Sequence, residues 1–154
     1  MSVLFGLHVL AAVVWVGGML AAVAAVRPAA EALEPAAKLQ LWSGILSRFF
    51  TLVWVAILLL LGTGFAMVFG VFQGFAHAPI HVHIMTGLGI LMMLAFFHLF
   101  FAPWKRLRRA QAAGDLAAAA RNLGQIRLIV TINTVLGVLV VLIAALGRFA
   151  GAGA

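Results

Sequence analysis

Four long apolar runs, at roughly 3–26, 48–72, 82–104 and 124–147, constrain this chain more than any other feature. Each reaches the length of about 20 residues needed to cross the hydrocarbon core of a bilayer. Backbone N–H and C=O groups find no water there, so each run must satisfy them internally as a helix. Composition agrees: 66% of 154 residues are hydrophobic, only 8% are charged, and no domain of this size has enough interior to hide that much apolar surface. The reading is an all-α integral membrane four-helix bundle forming a single domain.

The formal charge of +7 would suit a nucleic-acid surface, but its distribution does not. Nine of ten basic residues (Arg27, Lys38, Arg48, Lys105, Arg106, Arg108, Arg109, Arg121 and Arg127) lie in or beside the 27–47 and 105–123 segments. Positive charge concentrates in cytoplasmic loops, so both segments are expected inside and both termini on the outer, periplasmic side of a bacterial inner membrane. No nucleic acid is implied. The first run lacks a basic flank and reads as a retained helix rather than a signal peptide. Pro28 and Pro35 are expected to bound a short interfacial helix within 27–47. The KRLRR cluster opens an amphipathic stretch that suits topological anchoring and attraction to anionic lipid. There is no Cys, which removes disulfides and thiolate ligands. Helix contacts are expected at small residues, with Gly18, the Gly62-Thr63-Gly64 triplet and Gly87 as candidates, and at Asn133 through a hydrogen bond across the bundle.

The histidines carry the chemistry. An ionisable residue within a span is costly unless it faces protein, so His8 marks a functional site. Trp15 follows two turns later on nearly the same face. At 1.5 Å per residue, His8 stands about 27 Å from Val26 and His83 about 32 Å from Trp104, which puts both in the outer leaflet on the first and third helices. His98 stands only about 9 Å from Trp104, near the depth of Met19. His83, Gly87, Ile90, Leu94 and His98 share one helical stripe, with a small residue just below the outer histidine.

Neutral imidazole is a good ligand for haem iron, copper and zinc, and two chemistries fit. In the first, His8 and His83 are axial ligands of a b-type haem, Gly87 gives the ring clearance, Trp15 packs its edge and Arg148 meets a propionate. In the second, His8, His77, His81 and His83 form an outer copper site, and Met19 with His98 offers a soft inward step. The plainer readings are that a lone intramembrane histidine bonds a carbonyl, that His77 and His81 are solvated, and that the methionines fill core gaps.

His8–Trp15–Gly17-Gly18, Arg27-Pro28, Arg48-Phe49 and Gly62-Thr63-Gly64 resemble the copper-resistance protein D (CopD) family of small membrane proteins. The third-helix start IHVHIMTGLGILMM and the run RLIVTINTVLGVLVV before Gly147-Arg148 extend the likeness. A second resemblance is to HemJ-type protoporphyrinogen oxidases, which also begin with a His seven residues before a Trp. Their third-helix Lys falls on His83, and their fourth-helix Asn on or near Asn133. In that family the first-helix His and third-helix Lys are thought to lie at a haem site, so the resemblance implies the His8/His83 pairing. This chain departs from it by reversing Pro-Arg to Arg27-Pro28, by following Asn133 with Thr134, and by having no Tyr. The expectation is a haem b electron-transfer protein that exchanges electrons with a quinone or a redox partner protein and encloses its cofactor as a homodimer. A copper-binding or copper-transport protein is the alternative, and protoporphyrinogen oxidase a further one.

Overall fold

A computed structural model describes residues 1–150, with side chains described for residues 1–147. Among them there is helix and no strand: α1 (Ser2–Ala21), α2 (Arg27–Ala30), α3 (Pro35–Val71), α4 (Ile80–Phe101), α5 (Pro103–Ala112) and α6 (Leu116–Ala150). Four stretches, Ser2–Ala30, Pro35–Val71, Ile80–Ala112 and Leu116–Gly147, are long and apolar enough to span a membrane. The protein is a multi-pass membrane protein built from four spanning helices.

Proline decides how these helices begin and bend. Between α1 and α2 the chain makes a π-helical turn over Ala22–Val26, and the N–H of Arg27 reaches the Ala22 carbonyl. Pro28 lacks an N–H and its ring would strike the carbonyl four residues back, so the widened turn absorbs it without ending the helix. Pro35 opens α3, after Glu34 takes the extended conformation required before proline. The separate interfacial helix expected within 27–47 does not form. Once restarted at Pro35, nothing in the sequence stops α3 for 37 residues, about 55 Å, which carries it well beyond a 30 Å hydrocarbon core. At the other side, Gln73 and Gly74 with positive φ end α3, and the Gly74 N–H closes on the Val68 carbonyl. Asp115 caps α6 through the Ala118 N–H at 2.8 Å.

Helix pairing follows small residues. A Cβ on Gly18 would overlap the Phe49 ring, one on Gly137 would come within 2.8 Å of Val16 and 3.2 Å of Met92, and one on Gly147 would strike His81. These approaches align α1 against α3 and α6, and α4 against α6. Between α3 and the α4–α5 pair the space is filled differently, by Phe50 and Trp54 against Phe96, Phe97, Phe100 and Trp104 in edge-to-face and stacked contacts. The α1 and α4 helices therefore sit diagonally, joined by Trp15 on Phe96 at 6.3 Å. Asn133 crosses the bundle as expected and donates to the Met92 carbonyl at 3.0 Å.

Burial is uneven along the bundle. The half nearer the basic loops holds Trp15, Met19, Trp42, Leu46, Phe50, Phe96, Leu99, Leu107 and Ile126, all buried. In the half bearing His8 and His83, no residue of α4 from Ile80 to Leu91 is buried, nor any of α6 from Val138 to Gly147. One end is a packed core and the other is open.

At the basic end, Glu31 joins Lys38 at 2.8 Å and Arg127 at 2.6 Å, tying the α2–α3 turn to α6. Hydrogen bonds from Lys38 and then Arg127 hold its carboxyl down to about 2 from an ordinary 4.5. A depressed carboxylate contributes its stability in full above its unfolded value and loses it as pH falls through the folded one. Glu31→Gln is therefore expected to lower the thermal transition in detergent at pH 6, with the gap from wild type closing between pH 4.5 and 2. Gly137→Val, which forces a side chain against Val16, is expected to cost about 1–3 kcal/mol in the same assay.

Candidate functional site

His8 is half-buried on α1 and faces α3. Its Nδ1 lies 2.8 Å from Thr63 Oγ1, and that hydroxyl in turn donates to the Leu59 carbonyl. A hydroxyl has one hydrogen, and here it is spent on Leu59. The Thr63 oxygen must then accept from His8, so the proton of the neutral ring sits on Nδ1 and Nε2 keeps its lone pair. Gly64 makes room for the contact: a Cβ there would lie 3.3 Å from His8 Cε1. A hydrogen bond from one ring nitrogen that fixes the tautomer and orientation of the other is the usual outer-shell support of a metal-ligating histidine.

His83 sits across the diagonal. Gly137 lies against both Val16 and Met92, which defines a common layer through α1, α4 and α6. From that layer His8 is eight residues along α1, about 12 Å, and His83 nine residues along α4, about 13.5 Å. Both therefore stand at one level of the open half. His83 is exposed and its ring lies 5.9 Å from Phe75, tilted against it.

The remaining candidates are dispersed. His81 is half-buried against Gly147, and His77 is exposed in the turn Phe75–His77. Gly87 is exposed with open space about its Cα. His98 is exposed in the last turn of α4, whereas Met19 is buried in the core at 2% exposure, so the two do not meet. The His83–Gly87–Ile90–Leu94–His98 stripe faces outward along its whole length. The inner face of α4 is instead taken by the buried Met92, Met93, Phe96 and Leu99, with Phe96 against Phe50 and Trp54 of α3 and Met92 against Gly137 of α6. Trp15 packs on Phe96 below the His8 level. The Arg148 side chain lies outside the described residues.

A family model described as copper resistance protein D matches residues 43–146, about two thirds of the chain. The chain belongs to the CopD family. Comparison with curated proteins and with solved structures returned no match. The CopD match runs from α3 through α6 and leaves α1, with His8, outside it. No similarity to HemJ-type oxidases emerged beside it.

The donor set of this CopD-family chain can be weighed directly against copper and haem. Among the described residues no three His, Asp or Glu side chains come together as a metal-holding group. A copper site would thus draw on one or two histidines, with methionine or a second chain completing it. A haem iron asks for one or two axial nitrogens, and His8 Nε2 answers that chemistry. Thr63 was visible in the sequence only as the centre of a glycine triplet; the signal for its role was a hydroxyl flanked by residues small enough to admit a ring. In protein labelled with 15N-histidine, His8 is expected to show the Nδ1-protonated tautomer, and Thr63→Val to abolish that preference without loss of helix.

Proposed function

We propose that the chain is a haem b-binding redox protein of a bacterial inner membrane, with both termini on the outer side. His8 would hold the iron through Nε2, and His83, level with it on α4 but on the outward stripe, would have to turn inward to serve as a second ligand. The observation that carries this reading is the Leu59–Thr63–His8 chain of hydrogen bonds, which orients the ring and, in the neutral imidazole, leaves Nε2 as a free ligand nitrogen. The level match of His8 and His83, and the sparse burial around them, support it further. So does the want of Lys, Arg, Asp or Glu side chains from 49 to 104, which keeps the α3 and α4 side of the bundle, at the histidine end as elsewhere, apolar enough for a porphyrin face. When bound, haem b takes up and gives back single electrons.

The chain's own part is to present the ligand nitrogens, keep the Nδ1 proton on Thr63, and exclude water with the aliphatic side chains of α4 and α6. A homodimer would cover the outward stripe of α4 and enclose a large cofactor. Electron exchange with a quinone or a partner protein completes the proposal. The family name favours a second reading, copper binding or transport, in which the histidines and methionines act as soft-metal ligands.

A visible spectrum of the detergent-purified protein, oxidised and dithionite-reduced, with metal analysis of the same sample, separates these readings. The expected result is a Soret band and a sharp reduced α-band with stoichiometric iron. His8→Ala is expected to abolish both bands and His83→Ala to shift or weaken them, whereas His77→Ala and His81→Ala leave them intact. A colourless protein carrying copper would replace the proposal with the second reading. Turnover of protoporphyrinogen by the haem-loaded sample would place it with the oxidases instead.

A further inference from the structure

A cavity of about 260 Å³ lies at the basic end between α1, α3 and α6, remote from His8. Gly18, Phe49 and Val130 form part of its apolar wall, and Trp42, Arg127 and Arg27 also line it. Gly18 and Phe49 are the pair whose close approach seats α1 on α3, so the cavity begins where that contact ends.

Its polar groups are of one kind. Trp42 is only 4% exposed, yet its buried Nε1–H has no hydrogen-bond partner, and neither has the buried Nε–H of Arg127. The two side chains are neighbours, with the guanidinium carbon 5.9 Å from the indole centroid. Thr131, which also lines the cavity, has spent its hydroxyl hydrogen on the Arg127 carbonyl at 2.8 Å. The Glu31 carboxylate has one oxygen on Lys38 and the other on Arg127. That single acid is shared between two cations while Arg27 adds another, so the cavity mouth keeps an excess of positive charge. A buried N–H without a partner is costly, and two on adjoining side chains ask for one acceptor.

We propose that this cavity binds an anionic amphiphile from the adjoining leaflet. An oxygen of its headgroup accepts from Trp42 Nε1–H and Arg127 Nε–H, and its apolar chain lies against Gly18, Phe49 and Val130. A neutral carbonyl would satisfy the donors but not the excess charge, and charge-assisted bonds are roughly twice as strong as neutral ones. The site is independent of the haem proposal, since it uses none of the histidines.

Native mass spectrometry of the intact protein, delipidated and then titrated with phosphatidylglycerol or with phosphatidylcholine of the same chains, tests this. One phosphatidylglycerol is expected to bind with about tenfold preference. Trp42→Phe, which keeps the ring and removes the donor, is expected to weaken it about threefold to tenfold, and Arg127→Gln by at least about tenfold. Val130→Phe fills the cavity, leaves both donors in place and is expected to abolish the bound lipid, which keeps the proposal testable if Arg127→Gln fails to fold. Arg108→Gln with Arg109→Gln removes neighbouring basic charge and is expected to leave it. Equal binding of the two lipids, retention in both Trp42→Phe and Val130→Phe, or displacement of phosphatidylglycerol by a neutral short-chain quinone would each overturn the proposal.

Discussion

The registers between helices depend on backbone close approach at a few glycines. Lipid is as apolar as a leucine side chain, so helices gain little by burying apolar surface and must associate through packing and hydrogen bonds. Gly18 under Phe49, Gly64 under His8, Gly137 between Val16 and Met92, and Gly147 under His81 supply that packing. Each removes a Cβ where a neighbouring side chain needs the space. Together they fix which residue of one helix stands level with which residue of the next. The equal height of His8 and His83 is a consequence of the Gly137 layer, and the approach of His8 to Thr63 is a consequence of Gly64.

Within that frame, a threonine acts on an imidazole because the helix has already claimed the hydroxyl proton. Threonine in a helix commonly donates to the carbonyl four residues back, as Thr63, Thr131 and Thr134 all do here. Among the described residues, only at Thr63 is a histidine placed to use the oxygen left over. The consequence is directional: the ring is a donor at Nδ1 and an acceptor at Nε2. On the proposed reading, the lone pair left on Nε2 is the one a metal would take.

The four spans were legible from hydropathy alone, because the bilayer imposes their length and the backbone imposes their helicity. Asn133 was legible too, since a lone amide among aliphatic residues has to find a carbonyl. Rotation about the α4 axis was not. Helical arithmetic put His83 and His98 on one stripe, but it cannot say which stripe turns inward. That is decided by Phe96 meeting Phe50 and Trp54 on α3 and by Met92 lying against Gly137 on α6. The 27–47 segment misled for a related reason. Two prolines suggest two helix ends, yet Pro28 is taken up by a π turn and only Pro35 starts a helix. The orphaned Trp42 and Arg127 donors could not be read from sequence at all, because a donor is orphaned only by where three helices leave space.

The contrast between the two ends ties packing to function. At the basic end, aromatic rings interlock between α3 and α4, α5 folds back to bury Leu107 against α6, and Glu31 ties the α2–α3 turn to α6. Interlocked rings of this kind deform little, since a packed core has few alternative arrangements. At the histidine end, neither the first turns of α4 nor the last turns of α6 contribute a buried residue, so side chains there can rearrange at small cost in lost contacts. On the proposed reading, a ligand engaging His8 would reorganise the open half while the aromatic base holds the helices in register. A rigid foot beneath an adaptable mouth preserves the Thr63–His8 geometry through such rearrangement, because Gly64 and Thr63 belong to the α3 helix that the aromatic base anchors.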